Sequence, residues 1–230
     1  MTTKKKQTAS ERAPLTAEEL ERLTASDFVR LKLTDEEKAR LREINRVREQ
    51  ERIASVARIR VEEAPIVAEL QTSGLKIKSV GDLINMRERY AAAIPILLKH
   101  LQKPYSDVVR EGIARSLAVA EPEVQKAWAL LVDEYRKAPM GWGIKGPGDT
   151  KEYRLGAKDG LACALSVAVT DETLPELIAL AKDHTLGESR ILLLSALKKR
   201  RSKNPLVQQA IAELASDPEL QKEIASWGKH

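Results

Sequence analysis

Aromatic side chains make up only 3% of the 230 residues, and Phe28 is the sole phenylalanine. A core must therefore be assembled from Ala, Leu, Ile and Val. That suits thin aliphatic layers between helices and disfavours a β-sandwich, whose strands draw on aromatic and β-branched residues. Cysteine is nearly absent as well: Cys163 stands alone, inside the apolar run Leu161-Ala162-Cys163-Ala164-Leu165. This excludes an intrachain disulfide and a cysteine-based zinc site, and leaves the thiol as a small buried hydrophobe. No window approaches the roughly eighteen apolar residues needed to cross a bilayer. Met1 to Pro14, opening Thr2-Thr3-Lys4-Lys5-Lys6, lacks the apolar run of a secretory signal. A cytoplasmic protein without membrane contact is expected.

Recognisable catalytic and metal-binding patterns are missing too. His100, His184 and His230 are too scattered for a metal motif, and nothing has the form of a nucleophile elbow or of paired catalytic carboxylates. Neither an enzyme nor a cofactor is expected. Charge is abundant but balanced: 39 Lys and Arg face 34 Asp and Glu, a net +5, mixed along most of the chain. Such an excess permits an acidic partner without demanding one.

Residues 1–14, polar and closed by Pro14, are expected to be a disordered basic tail. Residues 15–78 form a helical leader. Thr16-Ala17-Glu18-Glu19 and Thr34-Asp35-Glu36-Glu37 have capping-box form and predict helix starts near 17 and 35. Between them Phe28, Val29, Leu31 and Leu33 suggest a short packing segment. From Asp35 to Glu63 there is neither Gly nor Pro, which predicts one helix of about 28 residues and about 40 Å. Pro65 should end or bend it, with helical continuation to Gln71. Its apolar stripe is interrupted at Arg48-Glu49-Gln50-Glu51-Arg52, which should be solvated on all sides.

From residue 79 to 230 the chain repeats itself. Ile94-Pro95-Ile96-Leu97-Leu98 begins sixteen residues before Arg110, and Leu174-Pro175-Glu176-Leu177-Ile178 begins sixteen before Arg190. Each Arg is followed seven residues on by Leu117 or Leu197, and Arg154 with Leu161 gives a third copy of that spacing. Such a period means stacked helical pairs. The pairs expected are 91–102 with 107–118, 123–138 with 151–169, 174–183 with 188–200, and 204–216 with 218–227. Short turns force neighbours antiparallel, except at the Gly- and Pro-rich insertion from Pro139 to Asp149.

Asp107-Val108-Val109-Arg110, followed by Ala114 and Ser116-Leu117, resembles the second helix of a HEAT repeat, with the Asp-to-Arg spacing one residue shorter than usual. Residues 90–200 look like three such repeats. The whole chain is similar to small bacterial HEAT-repeat proteins of the armadillo-like superfamily that carry a long helical leader. The resemblance implies an all-α fold, a right-handed α-solenoid, in which Asp107 caps its helix and Arg110 reaches the neighbouring turn. Departures are instructive. The third repeat has Glu188-Ser189 where the first has Val108-Val109. The second has Lys158-Asp159 where the first has Ala114-Arg115 and the third Leu194-Ser195. A Lys buried there without a partner would be costly.

The insertion's Gly141-Trp142-Gly143, with Lys145, Gly146 and Gly148, lacks phosphate-loop spacing and follows a helix rather than a strand. It reads either as a loop displaying Trp142 or as a long turn with Trp142 folded back. Trp128 and Tyr135 share one helix face and read as core. Lys198-Lys199-Arg200-Arg201-Ser202-Lys203 reads as favourable charge at a helix end, with phosphate contact as the sharper alternative. The function expected is a non-catalytic intracellular scaffold, monomeric, that binds a protein partner through Trp142, Lys145, Tyr153, Arg154, Lys158 and Asp159. One alternative is nucleic-acid binding, similar to HEAT-like DNA glycosylases, with Arg110, Arg115, Arg154, Lys198, Arg200 and Arg201 on phosphates. Another is an immunity or antitoxin protein bound to a toxin; the +5 charge counts against a nuclease as that toxin.

Overall fold

A computed structural model describes residues 12–144 and 153–228, with side chains for all of these except 25, 142–144 and 153–155. Among the described residues the fold is all-α but for one two-stranded ribbon, β1 (Trp142–Ile144) with β2 (Tyr153–Leu155). The chain divides into two compact units, Met1–Arg58 with Gly143–Tyr153, and Ile59–Trp142 with Arg154–His230.

In the N-terminal unit the helix starts follow the capping chemistry. At α1 (Ala17–Glu21) Thr16 and Glu19 form a reciprocal capping box, and at α2 (Ala25–Arg30) Thr24 and Asp27 form another. A third opens α3 (Asp35–Thr72): Thr34 donates its amide to Glu37 Oε2 at 2.8 Å, and Glu37 donates its amide to Thr34 Oγ1 at 3.1 Å. The Glu37 carboxylate, only 1% exposed, also accepts two bonds from the Arg12 guanidinium at 2.7 Å and one from the Leu15 amide at 2.8 Å. These bonds draw its pKa down to about 2, with the Arg12 guanidinium contributing most.

α3 runs 38 residues, so Pro65 neither ends it nor limits it to residue 63. Proline forfeits one bond, to the carbonyl of Val61 one turn earlier. Val61 is 77% exposed and Pro65 is exposed too, so water can serve that carbonyl.

The larger unit is built of paired helices. α4 (Ile94–Leu101) lies against α5 (Asp107–Ser116). α7 (Trp128–Lys137), preceded by the short α6 (Pro122–Lys126), lies against α8 (Ala157–Ala168). α9 (Leu174–Lys182) lies against α10 (Arg190–Arg200). The second members also pack side by side, α5 on α8 and α8 on α10, and a 3-10 turn (Val80–Asn85) covers the other side of α5. α11 (Pro205–Leu214) contacts α9 and α10, and α12 (Gln221–Ser226) follows.

One aliphatic core runs through this unit from Ile66 to Trp227. α8 sits deepest; of its twelve residues only Cys163 and Val167 are not buried. Each fully buried Leu, such as Leu161 or Leu165, contributes about 1.5–3 kcal/mol. Small residues allow the close approach: a Cβ on Gly160 would stand 2.9 Å from both Ala114 Cβ and the Glu111 carbonyl oxygen. Trp128 and Tyr135 are core, as their spacing predicts, at 6% and 0% exposure. Their polar ends are satisfied, Trp128 Nε1 donating to Glu176 at 2.7 Å and the Tyr135 hydroxyl lying 2.9 Å from Ser189 Oγ.

Candidate functional site

A groove of about 570 Å³ opens where the C-terminal end of α5 meets the flank of α8. α5 ends at Ser116 and α6 begins only at Pro122, so the intervening turn leaves α8 uncovered at Cys163 and Val167. The segment between the 3-10 turn and α4 forms the opposite wall. Leu83, Met86, Val119 and Val167 supply apolar lining, and Arg87, Glu88, Arg89, Arg115 and Glu121 supply charge. Size and chemistry match binding pockets in general, roughly 300–1,000 Å³ and apolar with a few polar groups.

The walls are held by specific bonds. The buried Tyr90 hydroxyl donates to the Ser116 carbonyl at 2.9 Å, tying the 90s segment to the end of α5. Arg89 grips Glu121 through two bonds, at 2.9 and 3.1 Å. Arg115 pairs with Glu111 one turn back on α5. Arg87 is exposed and forms no hydrogen bond or ion pair with any described residue. Burial pushes the Cys163 thiol up, which keeps it protonated near neutral pH and makes it a poor nucleophile.

Of the residues expected to contact a partner, Lys158 and Asp159 do not line this groove. Lys158 and Asp159 are 4% and 8% exposed, inside the protein rather than on a partner-facing surface. Lys158 Nζ donates to the Ala138 carbonyl at 2.8 Å and lies 5.5 Å from the centre of the Tyr135 ring. Burial pushes its pKa down. Burial likewise pushes the Asp159 carboxyl up to about 6 and the Tyr135 hydroxyl up to about 12. Displaced values of this kind mark functional sites as well as structural ones. Here the free space beside Lys158 and Asp159 is only about 10 Å³, which admits one water at most. Trp142 lies on β1 and Tyr153 and Arg154 on β2, while Lys145 falls outside the described residues.

The basic residues considered for phosphate contact are dispersed, and most are occupied. Arg110 donates to Glu134 at 2.5 Å. Arg200 donates to the Val169 carbonyl at 2.9 Å. Lys198 and Arg201 stand 5.6 and 5.7 Å from the centre of the Trp227 ring, each close enough for a cation–π contact. Among the members of this set whose side chains are described, Arg115 alone lines the groove.

Arg87, Arg89, Val119 and Val167 were not singled out by sequence reasoning. The one sequence signal for the arginines is the charged stretch Arg87-Glu88-Arg89 beside Tyr90. No family model, curated protein or solved structure matches the chain.

Proposed function

We propose that the larger unit is a HEAT-like α-solenoid and a non-catalytic protein-binding scaffold, whose groove at α5 and α8 receives a segment of a partner protein. The observation that carries this reading is the order of the helices: α5, α8 and α10 lie side by side in chain order, each backed by the helix before it, α4, α7 or α9. A stack of this kind offers a preformed surface, so little ordering is needed on binding. The conspicuous charged side chains support the same reading, because they are spent on assembly. Arg190 is fully buried and bonds the Ala181 and Gly187 carbonyls together with Asp217. Lys158 and Asp159, whose pKa values burial displaces, have only about 10 Å³ of free space beside them, and the Cys163 thiol, which does line the groove, is pushed up and so held protonated near neutral pH.

A photo-crosslinking amino acid at Val119, in the groove, tests the proposal, with the same residue at the exposed Gln209 of α11 as control. Irradiation in native lysate should give a discrete protein adduct from position 119 that is absent from 209. Equal adducts from both positions, or nucleic acid as the crosslinked species, would overturn it.

A further inference from the structure

The N-terminal unit has a groove of its own. α2 ends at Arg30, and Leu31 turns the chain into extended backbone, with φ −96° and ψ 131°. The strand-like passage to Thr34 leaves a cleft of about 510 Å³ against the first turns of α3. Phe28, Leu31, Leu33 and Leu41 form its apolar surface. Phe28 is 46% exposed although it is the only phenylalanine in the chain. An aromatic ring left in water beside three leucines is unfavourable by roughly the energy that burying it would return.

The described rim is basic. Lys32, Lys38 and Arg42 line the cleft together with Asn45, and no carboxylate among the described residues lines it, although Asp35 beside it pairs with Lys38 and acts on Arg42. Lys32 and Arg42 make no hydrogen bond or ion pair with any described residue. Lys38 lies 2.9 Å from Asp35, but both side chains are well exposed, at 47% and 100%. Such a pair is weak and readily exchanged for another anion.

The geometry points to a docking site in this cleft for an acidic peptide segment of another protein, one or two large apolar side chains entering between Phe28 and Leu41 while flanking Asp or Glu residues meet Lys32, Lys38 and Arg42. The volume lies within the roughly 300–1,000 Å³ of established pockets. Apolar anchors in a pocket supply most of the affinity at such sites, and a rim of one sign selects the opposite charge. Lys4, Lys5 and Lys6, near the start of the sequence, carry the same sign as the rim and so offer it no complementary charge. The described lining of the cleft belongs to the N-terminal unit, so its occupancy can be tested separately from that of the groove at α5 and α8.

Random dodecamer display on the full-length chain tests the assignment, followed by fluorescence anisotropy with the selected peptide, labelled. Selected peptides should hold Leu, Ile, Phe or Trp flanked by Asp or Glu. Binding should weaken about tenfold or more in the double variant Lys32→Glu, Arg42→Glu, weaken again in Phe28→Ser, and fall with added salt. Both charge reversals are at exposed positions, and an unchanged circular dichroism melting curve would establish that the fold is intact. Peptides without acidic flanks, or equal affinity for the double variant, would overturn the assignment. So would vesicles of phosphatidylglycerol bound by the wild type and released by these substitutions while no peptide binds, which would make the occupant a membrane. A wild-type dimer by sedimentation that the double variant abolishes would make it a second copy.

Discussion

Arg190 and Asp217, twenty-seven residues apart, meet at 2.7 Å with the arginine side chain wholly buried and the carboxylate 6% exposed. The contact joins the start of α10 to the turn before α12. Arg190 also pairs with Glu219, so removing the arginine leaves the buried Asp217 carboxylate without its guanidinium, whereas removing Asp217 leaves the arginine one carboxylate. Arg190→Met should lower unfolding stability by about 3–5 kcal/mol, read as a shift in the urea midpoint. Asp217→Asn, which keeps one acceptor, should cost less.

Gly160 sets the distance between α8 and α5. Alanine there adds a methyl within 2.9 Å of Ala114 Cβ and the Glu111 carbonyl oxygen. The helix-propensity gain of about 1 kcal/mol is smaller than the roughly 1–3 kcal/mol cost of overpacking. A net loss of up to about 2 kcal/mol is expected by chemical denaturation. Gly228→Ala, with open space around the added methyl, should be close to neutral.

Two carboxyls should give stability opposite pH dependences. Asp159 releases its proton near 3.8 in the unfolded chain and near 6 in the folded one, because burial favours the neutral form. Between those values the folded state holds more protons, so the Asp159 contribution is complete below about pH 4 and is lost as pH rises through 6. That window is worth about 3 kcal/mol. Asp159→Asn should flatten this part of the stability profile.

Glu37 has the reverse sign. Its folded pKa lies near 2 against an ordinary 4.5, so its contribution is present above 4.5 and lost as pH falls towards 2. Glu37→Gln should remove that acid-side loss, and melting temperatures of the two variants between pH 2 and 7 check both signs.

Lys158 separates packing from charge. Lys158→Met keeps the volume and removes a desolvated ammonium, but leaves the Ala138 carbonyl without its donor. The two effects nearly cancel, and stability should change by about 1 kcal/mol or less. Lys158→Ala opens a gap as well and should cost about 2 kcal/mol.

Where the sequence was informative, the reason is local chemistry. Thr16 with Glu19 and Thr34 with Glu37 are capping boxes complete within four residues, and both form. The Leu-Pro and Ile-Pro starts of α9 and α4 place proline within the first helical turn, where its missing N–H costs nothing. Helical continuation past Pro65 was legible and forms, whereas whether Pro65 would end the helix was not, because its cost depends on tertiary exposure around Val61. Lys158 was recognised as anomalous, yet its partners, Tyr135 and Ala138, lie twenty or more residues away. Both grooves escaped notice for the same reason. Each brings together turns and helix flanks whose periodicity carries no message, so Phe28 with Leu41 and Met86 with Val167 become neighbours only after folding.

α8 begins without a local cap. Gly156 offers no side chain, and the Ala157 amide is received instead by Asp107 Oδ1, 3.1 Å away and fifty residues upstream at the start of α5. A methyl on Gly156 would fall 2.2 Å from the other oxygen of that carboxylate, so the helix start and its distant acceptor are matched to each other. Starting a helix is the unfavourable step, and its first amides need acceptors. The helix buried deepest in the larger unit thus takes an acceptor for its first turn from a segment fifty residues earlier, so substitution at Asp107 should be felt at the start of α8 as well as in α5.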